Sequence, residues 1–138
     1  MQRILPELTP ETRFFWEAGA SGVLRFLCCK ACGNYVHPPV PVCNVCLARH
    51  PQPKDVSGRA RVASFTVNPQ RWSPDLAVPY VVALVEIDEQ PSLRLTTNIV
   101  NCEPCDLHIG MPVRVTFMPV EDVFLPLFEP ERGSRDDA

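Results

Sequence analysis

The hydrophobic positions along this chain change their period twice. Residues 9–19 begin with Thr9, Pro10 and Glu11 and run through three adjacent aromatics, Phe14, Phe15 and Trp16, to Gly19. Thr9 suits an N-cap and Pro10 the first helical position, while Glu11 complements the positive end of the helix dipole, so a short helix is expected here. Successive helical residues point about 100° apart, so the three aromatics wrap most of the circumference and cannot all face one small core. They either fill gaps within the chain or meet something else, another chain included. After residue 54 the period becomes two. Residues 59–67 alternate, 80–87 form a β-branched run, 93–100 alternate again, and 112–117 and 123–128 add two further strands. Gly58 and the segments 88–91, 101–110 and 119–122 punctuate them. Five strands with a longer connection between the third and fourth suit a closed Greek-key barrel of the OB type, whereas a β-sandwich would want about seven.

The stretch between the helix and the strands has neither period and is organised by cysteine. Cys29 and Cys32 form one Cys-x-x-Cys pair and Cys43 and Cys46 another, ten residues apart. Two such knuckles facing each other supply the tetrahedral sulfur shell of a closed structural zinc site. With all four positions filled by protein, no coordination site remains for water, so the ion is expected to hold structure and not to act as a Lewis acid. Gly33 follows the first knuckle, where a left-handed residue is wanted, whereas Leu47 follows the second, which is therefore expected to be less regular. Cys28, adjacent to a ligand, is expected to point away from the metal. The reading is mainly β: an N-terminal helical segment (residues 1–22), a zinc ribbon (23–54), a five-stranded OB barrel (55–130) and a disordered tail (131–138).

Composition limits what such a chain can do. With 138 residues, 46% of them hydrophobic, it can bury one modest core plus a metal-stapled satellite too small to fold without its ion. The first residues break into Pro6 and Glu7 after two apolar positions, unlike a secretory leader, and no apolar run approaches the roughly 20 residues that span a bilayer. No membrane association is expected, and seven cysteines fit a reducing, cytoplasmic setting. Net charge is −3, but residues 18–54 contain no Asp or Glu while carrying Arg25, Lys30, Arg49 and Lys54. This local basic character either offsets the thiolate charge or presents an anion-binding face.

Catalytic constellations are sparse. His37 and His50 each precede a proline, and His108 lies between Leu107 and Ile109, with no nucleophile or acid at a spacing that would activate it. A third pair, Cys102 and Cys105, is flanked by Glu103 and Asp106, whose negative charge opposes a redox role, and reads as two loop cysteines without a ligand role. Contact with a ligand is better sought in the loop around Arg71 and Trp72, where a guanidinium can pair with phosphate and an indole can cover an acyl group or a partner surface. The bland alternative is an ordinary hairpin loop. Single-stranded nucleic acid is the rival ligand for an OB barrel, but the strands offer only isolated Phe65 and Tyr80 for stacking, and the C-terminal end is acidic.

The order of these pieces resembles a family of rubredoxin-like zinc-ribbon plus OB-fold proteins associated with acyl-CoA metabolism. The likeness rests on the aromatic helix, the two knuckles with His37-Pro-Pro between them, Pro79-Tyr-Val-Val-Ala-Leu-Val-Glu, Thr97-Asn-Ile-Val and Ile109-Gly-Met-Pro-Val. It covers nearly all of residues 14–128. The resemblance implies a companion subunit of a thiolase-superfamily, lipid-transfer-protein-like enzyme, in some cases an aldolase of steroid side-chain breakdown. It places the catalytic residues in that other chain and gives this one a zinc ion, an interface through ribbon and helix, and contact with acyl-CoA. Phe14, Phe15, Trp16, Arg25, Lys30, Arg71 and Trp72 are the residues expected to face partner or ligand.

Overall fold

The computed structural model describes residues 5–71 and 77–131; Trp72 and the expected tail from residue 132 onward lie outside the described residues. The N-cap is Thr12 and not Thr9, because residues 10–12 form a turn ahead of the helix, and Thr9 and Thr12 close that turn reciprocally. The Thr12 N–H donates to Thr9 Oγ1 and the Thr9 N–H to Thr12 Oγ1, both at 3.2 Å, in the reciprocal pattern of a capping box. Helix α1 spans Arg13–Glu17 and tightens into a 3-10 turn over Ala18–Ser21, which ends at Gly22 with φ 72. The stop therefore falls three residues beyond Gly19. Gly19 serves packing instead: a Cβ there would lie 2.7 Å from Phe117 Cδ1 and closer still to Phe124, so only glycine lets the turn seat on the barrel.

Strands β1 (Leu24–Cys28), β2 (Tyr35–Val36) and β3 (Gln52–Val56) form an antiparallel sheet in the order β2-β1-β3. The remaining strands, β4 (Arg59–Asn68), β5 (Tyr80–Ile87), β6 (Arg94–Ile99), β7 (Pro112–Val120) and β8 (Val123–Pro130), close into a barrel in the order β4-β5-β6-β8-β7. All neighbours are antiparallel except β6 and β8, which the long 100–111 connection brings together in parallel. This is the five-stranded barrel the alternation predicts. Alternation fills it: Val81, Ala83, Val85 and Ile87 point inward, while Val82, Leu84 and Glu86 stay half-buried outside. A register shift between Val62 and Ser64 bends β4 around the barrel.

Ribbon, helix and barrel share one core. Phe15 from α1 and Leu24 and Phe26 from β1 belong to the same buried cluster as Val62, Val85, Val113 and Phe128 of the barrel. The helix is thus sandwiched between the ribbon sheet and the β7–β8 hairpin, so its second contact is this chain's own barrel.

Candidate metal centre and its surroundings

Both knuckles hang from hairpins of the ribbon and repeat one hydrogen-bond pattern. In the first, the Gly33 N–H donates to the Cys29 carbonyl at 2.8 Å and the Cys29 N–H to the Asn34 carbonyl at 2.8 Å. In the second, the Leu47 N–H donates to Cys43 at 3.0 Å and the Cys43 N–H to Ala48 at 2.9 Å. The expectation of a less regular second knuckle is corrected here. Leu47 adopts φ 66, close to the φ 79 of Gly33, so the backbone follows the same path and leucine carries the strain.

The two loops bring Cys29, Cys32, Cys43 and Cys46 together with all four sulfurs within 4.8 Å of one another. Cys29 and Cys46 are 3.5 Å apart and Cys32 and Cys43 3.7 Å. A tetrahedral ion with Zn–S bonds of about 2.3 Å separates its sulfurs by about 3.8 Å, so the donor set and its spacing fit structural zinc. Cys29 and Cys43 are buried while Cys32 and Cys46 face outward. Amides support the thiolate form. Backbone N–H groups of Cys46 and Val45 pull the Cys43 thiol down to about 6, with Asn34 Nδ2 adding a contact at 3.7 Å. The Cys32 and Ala31 amides lower Cys29 in the same way. At Cys32 the Asn34 amide favours the thiolate, yet desolvation and the adjoining Cys46, Cys43 and Cys29 thiols push it up to about 12. Four thiols this close cannot all ionise without a cation, and zinc supplies the charge that lets them. Cys28 points elsewhere, toward the Gly33 carbonyl at 3.5 Å.

Between helix and ribbon, folding brings together residues that the sequence does not connect. His37 packs between Phe15 and Phe26 with ring centroids 5.1 Å from each, and its buried Nδ1 has no hydrogen-bond partner. Burial holds its pKa below the usual histidine value. Only the aromatic neighbours three-dimensional folding provides could have marked it.

The residues expected to face a partner are distributed unevenly. Phe15 is core, and Arg25 is engaged by Asp55. Phe14 and Trp16 are half-buried, and Lys30 and Arg71 are exposed. Phe14 lines an apolar cleft of about 340 Å³ between helix and ribbon, with Leu27, Pro39, Pro41, Pro51 and Pro53. A second cleft of about 310 Å³, between ribbon and barrel, has neutral polar walls that include Asn34, Asn44, Gln90 and Ser92. Of the third cysteine pair, Cys105 is exposed and Cys102 packs partly against the core. On the outer face of β4, β5 and β6 the register sets Ser64 and Thr66 beside Leu84 and Val82, and these beside Thr96 and Asn98. Toward one end of that face Glu86 stands between Arg61 and Arg94 and is paired with Arg94 at 3.0 Å, and toward the other Tyr80 is hydrogen-bonded to Asn68, so the middle of the face has neither cations nor stacking rings. No helix among the described residues is long and apolar enough to cross a membrane.

Residues 16–51 match the model of the rubredoxin-like zinc ribbon domain of ChsH2, and residues 53–118 that of the ChsH2 C-terminal OB-fold domain. The chain is 35% identical over 133 residues to a 3-oxo-4,17-pregnadiene-20-carboxyl-CoA hydratase alpha subunit of Mycobacterium tuberculosis, covering 91% of this chain and 40% of that protein. It spans about two fifths of the length of the hydratase alpha subunits it matches. It is also 35% identical, over 68% of its length and 71% of the relative's, to a DUF35 domain-containing scaffold protein of Methanothermobacter thermautotrophicus. Among solved structures, a chain of an Ltp2-ChsH2(DUF35) aldolase superimposes with a TM-score of 0.82 at 34% identity, over 91% of this chain and 98% of that one. With both halves matched in order and the four cysteines gathered as a ribbon requires, the chain belongs to the ChsH2 family of zinc-ribbon and OB-fold proteins.

Proposed function

We propose that this chain is a scaffold subunit that binds and supports a thiolase-superfamily enzyme acting on acyl-CoA esters, in an aldolase, thiolase or acyltransferase reaction. Steroid side-chain degradation is the setting favoured by the relatives' names, and the cytoplasm is the compartment that suits seven reduced thiols. The observation carrying this reading is the near-complete overlay on the ChsH2(DUF35) chain of an aldolase, which gives the ribbon-plus-barrel unit a precedent as a separate subunit. The gathered cysteines support structure, since a closed four-sulfur shell leaves no position for substrate. The partner supplies the catalytic groups. Phe14 and Trp16 on the helix, Lys30 on the ribbon, and Arg71 and Trp72 on the β4–β5 loop are the contacts offered to the enzyme or to its CoA-linked substrate.

A nucleic-acid role gains nothing from the barrel. The middle of its outer β4–β6 face is uncharged, and Arg94, Arg59 and Arg114 are paired with Glu86, Glu131 and Glu129. The test is co-expression with the thiolase-like protein encoded beside its gene, followed by size-exclusion chromatography, zinc counting and turnover of acyl-CoA substrates by the pair and by each chain alone. A stable zinc-containing complex whose activity needs both chains is the expected result. Two chains that elute apart, with the enzyme fully active alone, would remove the proposal.

A further inference from the structure

Leu47 combines two unfavourable features. It holds a left-handed backbone conformation, φ 66, that glycine adopts without strain, and its side chain is 72% exposed. Gly33 occupies the matching place in the first knuckle, with the same amide-to-cysteine bond. The backbone at this place therefore does not call for leucine. A strained residue with a largely exposed apolar side chain points to an external contact.

The surroundings agree. Val45, two residues earlier on the same knuckle, is 64% exposed, and Val40, which borders the apolar cleft beside Phe14, is 41% exposed. These three account for most of the large apolar side chains exposed among the described residues, the others being Val67 and Ile109 on the barrel. Lys30 on the facing knuckle and Arg49 beyond Leu47 make no ion pair among the described residues, whereas Arg13, Arg25, Arg59, Arg94 and Arg114 do. The tip of the ribbon is thus an apolar centre with a cationic rim and no acid between residues 18 and 54.

We propose that Leu47 and Val45 are the anchor of the ribbon's docking surface, received by an apolar recess on the enzyme partner that is bordered by carboxylates matching Lys30 and Arg49. This rests on the scaffold reading above and narrows it to one knuckle. The leucine fills the recess as a central anchor does, and the rim charges steer association.

The test compares the full chain with Leu47→Gly and with Lys30→Glu/Arg49→Glu, measuring affinity for the thiolase-like enzyme at two salt concentrations. Thermal unfolding is recorded in parallel, together with binding to phosphatidylcholine vesicles containing phosphatidylserine. Leu47→Gly should fold at least as well as the unaltered chain and bind the enzyme on the order of tenfold more weakly or worse. The charge variant should lose most of the salt dependence. Unchanged enzyme affinity of Leu47→Gly overturns this proposal and leaves the scaffold reading standing, as does an effect confined to vesicles. Failure of the unaltered chain to bind the enzyme removes both.

Discussion

Gln90, in the turn between β5 and β6, completes the free edge of ribbon strand β2 at Tyr35. The Tyr35 N–H donates to Gln90 Oε1 at 2.9 Å, and Gln90 Nε2 donates to the Tyr35 carbonyl at 3.1 Å. The side-chain amide thereby takes the place of a fourth strand. One residue earlier, the Glu89 carboxylate accepts the Ser57 N–H at 2.7 Å, at the junction between ribbon and barrel. The turn thus grips the ribbon at two points and fixes its direction relative to the barrel. Gln90→Ala removes two hydrogen bonds and should lower stability by about 1–3 kcal/mol. Gln90→Glu keeps the acceptor, loses the donor and sets a carboxylate oxygen against the Tyr35 carbonyl, so it should be less stable than the native protein. Urea unfolding with amide exchange at Tyr35 tests this; undiminished Tyr35 protection in Gln90→Ala would contradict it.

The twin knuckles allow a paired test of backbone strain. A Cβ at Gly33 would meet no atom within 4 Å, so Gly33→Ala carries only the left-handed conformational penalty, about 1–2 kcal/mol. Leu47→Gly removes the same penalty at the second knuckle and restores chain entropy to the unfolded state, leaving a gain of up to about 1 kcal/mol. Opposite signs in chemical denaturation of the two zinc-loaded variants are expected. Equal effects would mean that the loops differ in more than their residue type.

Much of this arrangement is readable from one chain. The barrel strands follow from period-two alternation because each has one dry and one wet face, and β5 is found whole as 80–87. The cysteine spacing identifies the metal centre because sulfur geometry tolerates few alternatives. What cannot be read is contact between distant elements. Gly19 looks like a helix stop but is a packing site against Phe117 and Phe124 on the barrel. His37 looks like a loop histidine but stands between Phe15 and Phe26, and Arg25 looks free until Asp55, thirty residues away, is brought beside it by the β1–β3 register.

His37 should make the protein acid-sensitive. Its pKa is lowered by burial, so between that value and the ordinary histidine value of about 6.5 the unfolded chain binds more protons than the native one. The stability it permits is complete above about pH 6.5 and declines as pH falls through the depressed native value. His37→Phe removes both the titration and the unpaired Nδ1, and should flatten this limb of the stability profile. Retention of the acid limb in His37→Phe would assign it to other groups, among them the zinc thiolates.

Gly19→Ala tests the seat of the helix. The added methyl would have to displace Phe117 or Phe124, and neither the Phe124 Cβ nor the Phe117 ring root can swing clear as a flexible tip would. Overpacking of this kind costs about 1–3 kcal/mol. The strain should appear first as separation of the 3-10 turn from the β7–β8 hairpin, seen as lost amide protection around residues 18–22 while the barrel strands keep theirs. A barrel that loosens together with the turn would show that seat and barrel melt as one unit.

Loss of the metal should dissect the molecule along another line. Cys43 is wholly buried and its sulfur accepts the Val45 N–H at 3.4 Å, so Cys43→Ser leaves a poorer ligand in a site shaped for sulfur. Zinc content should fall from about one ion per chain toward zero, because the remaining three thiols no longer close the tetrahedron. The knuckles beyond Phe26 have little apolar core of their own, whereas the barrel is closed and keeps Val62, Val85, Val113 and Phe128 packed without them. Amide exchange should therefore rise across residues 29–50 and stay low in β4 to β8, and a chelator should produce the same pattern in the unaltered protein. Cys105→Ser, on the barrel connection, should leave zinc content unchanged. A Cys43→Ser protein that still holds a full equivalent of zinc would overturn the four-cysteine assignment.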